Sequence, residues 1–283
     1  MASNSTSPDS LPFGSMHISD PVQFYQSKKG SIDTINCKVS APPGLSNPRS
    51  LLLDTQSCNL FIVDSDNNRI VVLTMEWEFV SMFGEKDLDS PWGVAILSDS
   101  VFVTDVGHHG LLKFSLFDFT LITRVSSTTE NKKLKEPRGI TSDGNEIFVA
   151  DSGSHAICIF NSELEFLRYI GIGDLWFPRD VKLSQDSITA IDKSDTCVHI
   201  FSKGGEKKKD IIPLDPNRKS SPLFFHIDTS GSIILSDYDS KTLQIFDLSG
   251  NSIHTIQVDE NPKGVLVIKD KLFCCYTDKI QIF

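Results

Sequence analysis

A proline recurs along this 283-residue chain at a nearly fixed step, and an aspartate follows each copy 14 to 16 residues later. The prolines are Pro48, Pro91, Pro137, Pro178, Pro222 and Pro262, spaced by 43, 46, 41, 44 and 40 residues. The aspartates are Asp64, Asp105, Asp151, Asp192, Asp237 and Asp278, spaced by 41, 46, 41, 45 and 41. A repeat of this length is the size of one four-stranded propeller blade, and a unit that cannot bury its faces alone must stack on its neighbours. Six copies predict an all-β chain folded as a six-bladed β-propeller of four-stranded antiparallel blades.

Each copy reads as four short strands. Proline donates nothing to a ladder and therefore suits the first residue of a strand. In the third copy, Pro137-Arg138-Gly139-Ile140 opens the first strand, and Ile147-Phe148-Val149-Ala150-Asp151 forms the second. Ser152-Gly153-Ser154-His155 makes the turn, where Asp bonds to nearby backbone and Gly supplies the positive φ. Ile157-Cys158-Ile159-Phe160 and Phe166 to Ile170 supply the third and fourth strands. The inner strands are continuous apolar runs, as strands covered on both faces are.

The sixth copy stops at Phe283, after its third strand. Residues 31–37, centred on Ile32 to Cys37, are expected to supply the missing outer strand and close the ring, which removes its exposed edges. Val22 to Tyr25 competes with Lys279 to Phe283 for the place of the third strand. Residues 1–20, rich in Ser, Pro and Asn, read as a disordered tail before a propeller over 21–283. They lack the apolar run of a secretory signal. No stretch of 18 apolar residues suggests a membrane span. The six cysteines show no CxxC pair and no zinc spacing. The expectation is a monomeric ring in the reducing cytoplasm, with no membrane partner.

The third copy resembles the NHL repeat, with the first copy next; copies four to six keep the Pro, the Asp and the apolar runs but lose the Gly-Asn-His core. The arrangement is similar to the C-terminal propeller of tripartite-motif proteins. That resemblance implies recognition of a protein substrate or RNA on the face where each first strand begins, as the substrate-binding part of a ubiquitin-ligase-type protein. Any ligase activity would need a RING domain, which this sequence does not contain. Related propellers include metal-dependent lactonases and an amidating lyase.

Strand geometry sends the residue after each proline, and the turn between the second and third strands, to one end of the ring. That end should gather Arg49, Trp92, Arg138, Arg179 and Lys263 with Arg69, His108, His109, His155 and Lys241. The functional reading is a basic and aromatic surface for a protein or an acidic peptide, or alternatively for single-stranded or hairpin RNA. The plainer reading is a set of Arg–Asp pairs with Asp64, Asp151 and Asp192. A net charge of −10 argues against nonspecific nucleic-acid binding but leaves a local basic patch open.

The repeated aspartates read as turn builders rather than a metal ring, because catalytic carboxylates would differ between blades. His108, His109, His155 and His226 would have to converge to bind zinc, and spacing does not require that. No cofactor is implied, no catalytic residue stands out, and the expectation is a non-enzymatic module, with a metal-dependent hydrolase or lyase as the further alternative. Trp176-Phe177 and Phe224-Phe225 read as core packing, and Lys203 to Lys209 as a solvated loop.

Overall fold

The computed structural model describes residues 33–35, 44–126, 134–184, 186–211, 220–247, 249–269 and 271–283. Their strands form six separate four-stranded sheets. In five of them, consecutive strands are antiparallel neighbours, as in Pro137–Ser142, Glu146–Asp151, Ala156–Asn161 and Phe166–Ile170. The first strands of neighbouring blades pack on one another and line the central channel. They are Pro48–Asp54, Pro91–Leu97, Pro137–Ser142, Pro178–Ser184, Pro222–Ile227 and Val265–Ile268.

The sixth sheet runs Asp33–Ile35, Ile280–Ile282, Lys271–Cys275, Val265–Ile268. Asp33 pairs with Ile282 and Ile35 with Ile280, antiparallel. The N-terminal strand therefore closes the ring as the sequence suggested, and Ile280–Ile282 takes the place of the third strand. Val22 to Tyr25 and the tail over 1–20 lie outside the described residues.

The core is distributed over the blade interfaces. Each of six apolar clusters draws on two adjacent sheets. Phe61, Val63, Ile70 and Val72 of the first blade meet Val94, Val101, Val103 and Phe114 of the second. Close approach at the centre requires glycine within the first strand of the third blade and immediately before that of the sixth. A Cβ on Gly264 would lie 2.0 Å from the Arg49 carbonyl oxygen, and one on Gly139 would lie 2.1 Å from Oδ1 of Asp180. Real side chains do not tolerate such distances, so these positions are set by neighbouring backbone rather than by torsional freedom.

The aspartates have a more specific role than turn building. Asp151 is fully buried, and its carboxylate accepts the backbone N–H groups of Lys135 and Glu136, the two residues before Pro137. Asp192 does the same for Trp176 and Phe177, Asp105 for Asp89, Asp64 for Ser46, and Asp237 for Ser221. A carboxylate accepting several N–H bonds satisfies the chain where it dives into the ring with a proline that has no N–H to offer. The sixth copy departs from the rule. Asp278 is exposed. Counting along the register from Val265–Cys274, the buried Tyr276 stands where the aspartate was expected.

Candidate functional site

Arg49, Arg138, Arg179 and Lys263, each following a proline, converge at the ring centre, and Trp92 organises them. Its indole is buried and stacks on Phe224, with ring centroids 5.6 Å apart and planes inclined by 22°. The Arg49 guanidinium lies 4.0 Å from the indole centroid and that of Arg138 4.1 Å, with Arg179 at 5.8 Å. Lys263 stands beside them, donating from Nζ to Oδ1 of Asn47. The six inner strands, set around one axis, bring these positions together. The aromatic face then makes the packing of guanidinium groups tolerable, because its quadrupole attracts each of them.

Negative charge at this cluster is sparse. Arg138 Nη2 donates to Glu136 Oε2 at 2.8 Å, and Arg49 Nε donates to Ser65 Oγ at 3.0 Å. Trp92 Nε1, Arg138 Nε and Arg179 Nε are buried without an acceptor. Burial, followed by the charge of Arg138, lowers Arg49 to about 10 and Arg179 to about 10. Burial also lowers Arg138, against the opposing pull of Glu136, and lowers Lys263, aided by Arg49. Repelling cations with unused donors form a surface primed for an anion.

The expected Arg–Asp pairs are absent from the centre, since Asp64, Asp151 and Asp192 are occupied by backbone N–H groups. Arg69 is the exception. It is buried in the first blade, where Nε meets Asp64 Oδ2 at 2.7 Å and Nη1 meets Glu85 at 3.5 Å. Arg69 thus belongs to the blade and stands apart from the Trp92 cluster.

The turn residues are latches between blades. His109, His155 and Lys241 all adopt left-handed backbone, with φ of 51°, 57° and 54°. His109 Nδ1 bonds the Lys135 carbonyl, His155 Nδ1 the Trp176 carbonyl, and Lys241 Nζ the Asp259 carbonyl. Asn68, left-handed at φ 53°, accepts from the Ser90 N–H in the same way. Each reaches the loop leading into the following blade. In the third blade it is therefore His155, rather than Gly153, that carries the positive φ; a Cβ on Gly153 would instead strike Lys135 Cβ at 2.4 Å. His108 is partly exposed and contacts Asp105 at 3.3 Å.

Trp176 and Phe177 correct the expectation of core packing. Trp176 is 64% exposed, with its ring 6.1 Å from His155, and Phe177 lies 6.0 Å from the Arg179 guanidinium. An apolar patch thus borders the cationic centre. Phe224 and Phe225 are buried as expected. Lys207 to Lys209 lie in the outer strand Lys207–Ile211 rather than in a loop. His226 lines the channel, apart from the histidines of the upper turns. Among the described residues, no group of three or more His, Cys, Asp or Glu side chains is placed to hold a metal ion. No helix among them is long and apolar enough to cross a membrane.

Comparison with known proteins supports the repeat and the ring. Residues 134–160 match the NHL repeat. No curated protein matches the sequence. Among solved structures, virginiamycin B lyase from Staphylococcus aureus superposes with a TM-score of 0.67 at 12% identity, covering 89% of this chain and 98% of the lyase. A gluconolactonase from Xanthomonas campestris gives 0.71 at 14% identity, covering 84% and 86%. A nidogen/laminin complex gives 0.65 at 14%, covering 77% and 84%. At these identities the likeness is one of fold. It nevertheless overturns the expectation of a non-enzymatic module, because rings of this architecture include a lyase and a lactonase, and the NHL repeat by itself does not separate binding from catalysis.

Proposed function

We propose that the upper face, where the first strands begin, recognises a protein or peptide segment that presents an anionic group to the Trp92 cluster. The observation that carries this reading is the imbalance of charge around one buried indole: among the described residues, Arg49, Arg138, Arg179 and Lys263 share a single contacting carboxylate, Glu136. In a chain of net charge −10, four cations at one point form a local field that opposes the global one. Guanidinium groups suit carboxylate and phosphate because they offer paired donors in one plane. Trp176 adds an exposed aromatic anchor at the rim, the residue type in which binding energy concentrates. Such a face would also suit the substrate-recognition role of a tripartite-motif protein in the cytoplasm.

The test is fluorescence polarisation with labelled peptides of matched length, either Glu-rich, phosphoserine-bearing or neutral, against the full chain and the R138Q/R179Q variant. Selective binding of the acidic peptides, weakened by at least tenfold in the variant, supports the reading. Equal binding by both proteins refutes it. A single-stranded RNA probe that outcompetes every peptide, with affinity falling steeply in salt, would assign the face to RNA instead.

A further inference from the structure

Beneath the Trp92–Phe224 stack the channel widens into a cavity of about 410 Å³, with Phe224 in its lining. Thr55, Gln56, Ser98 and Gly144, from the turns that follow the first strands, also line it, so it opens on the face opposite the Trp92 cluster. Its volume falls in the range of roughly 300–1,000 Å³ typical of small-molecule sites. Leu52, Ile96, Ile140, Ile227 and Leu266 supply apolar wall.

Three polar side chains break that wall at one level: Thr141, four residues after Pro137, and the longer, stronger donors Lys182 and His226. Lys182 and His226 each stand four residues after the proline of adjacent blades. Lys182 Nζ donates to Asp180 Oδ1 at 3.0 Å. Asp180 is buried, and its carboxylate is further held by the Val181 and Phe225 N–H groups. The ammonium has three N–H donors, so two remain for a ligand. Burial, followed by the charge of Lys182, lowers His226 to about 4, so its imidazole is neutral near pH 7 and offers one donor and one acceptor. The other lining carboxylate, Asp54, is engaged by Gln56 N–H and by Ser57 N–H and Oγ–H.

The charges of the wall select the ligand. Lys182 is opposed by Asp180 and Asp54, which leaves an excess of one negative charge and disfavours an anion. A cation would meet the Lys182 ammonium. An uncharged acceptor satisfies the free donors at no electrostatic cost, and burying polar groups without partners is unfavourable. We propose that the lower channel binds an uncharged, mostly apolar small molecule whose carbonyl-type oxygen is gripped by Lys182 and His226. This site is independent of the anionic ligand of the upper face.

Saturation-transfer NMR on the full chain tests it with 2-heptanone, N-butylacetamide, hexanoate and hexylammonium as probes. The ketone and the amide should show transfer and the two ions should not. Thr141→Phe, which fills the cavity, should abolish the signal. His226→Phe, and the charge-balanced pair Lys182→Met with Asp180→Asn, should each weaken binding at least fivefold, with the R138Q/R179Q variant binding as the parent does. Circular dichroism and the urea midpoint establish which variants are folded. The proposal fails if neither neutral probe binds, if the ions bind equally well, or if folded Thr141→Phe or His226→Phe binds undiminished.

Discussion

Replacing Trp92 by alanine removes the element that holds the channel mouth together. The indole is 6% exposed, stacks on Phe224 and lies within about 4 Å of two guanidinium groups. Truncating a buried Trp to Ala costs about 3–5 kcal/mol through lost burial and the cavity left behind. Each close cation–π contact adds about 0.5–2 kcal/mol, partly overlapping with that burial. The expected loss is therefore about 4–7 kcal/mol, equivalent to a fall in Tm of roughly 10–25 °C for a ring of this size. Trp92→Phe keeps an aromatic face and should lose about half of that or less. Removing the indole also exposes the repulsion among Arg49, Arg138 and Arg179, so the alanine variant should recover more stability from added salt than the parent does. Urea unfolding at low and high sodium chloride measures both quantities. A loss below about 1 kcal/mol, or identical salt responses in parent and variant, would refute Trp92 as the organiser of the cluster.

Asp151→Ala removes a buried carboxylate that accepts two backbone N–H groups and should cost about 2–4 kcal/mol in denaturant unfolding, whereas Asp278→Ala, at an exposed site, should cost under about 0.5 kcal/mol. The folded state holds His226 near 4, below its usual value, so its contribution is complete above about pH 6.5 and is lost as pH falls from there through 4; stability should fall by at most about 3 kcal/mol across that window, and His226→Gln should flatten the slope. His155→Val places a branched side chain at φ 57° and should cost about 1–3 kcal/mol by thermal unfolding, with His155→Asn restoring part of it. Removing residues 1–38 deletes the strand paired with Ile280–Ile282, so the shortened chain should unfold earlier and associate in size-exclusion chromatography; an unchanged monomer would contradict closure.

The ring was legible because its signals are repeated and local. Proline at a strand start and aspartate at the end of the next strand recur in step, so a weak sixth copy could be placed by counting. Counting also produced the error at Asp278, because a step of 41 residues matched while the register put Tyr276 in the aspartate's place. Glycine is the usual left-handed residue of a turn, which points to Gly153, yet the latch needs a side chain and His155 provides one. The structure sets Arg49, Arg138 and Arg179, each the residue after a proline, against Trp92. Their common dependence on Trp92 was hidden, since which side chain lies flat across a central axis depends on all six blades. Lys182 and His226 did leave a trace, as polar interruptions of first-strand apolar runs, but one strand cannot show that two such interruptions share a cavity. Exposure of Trp176 was equally invisible, because an aromatic pair before a strand looks alike inside and outside a core.

The pairing of Asp33–Ile35 with Ile280–Ile282 joins segments about 245 residues apart, and this has a kinetic consequence. Loop-closure entropy grows only logarithmically, by about 0.6 kcal/mol per doubling, so the distance costs little at equilibrium. The time needed to find the partner is another matter, since contacts of large sequence separation form slowly. Until the first and last blades meet, Ile280–Ile282 presents an unpaired strand edge of the kind that a second molecule's N-terminal segment fits as well as its own. Ring closure is therefore a race between one chain and its neighbours, and slow, dilute refolding should favour the single chain over strand-exchanged dimers.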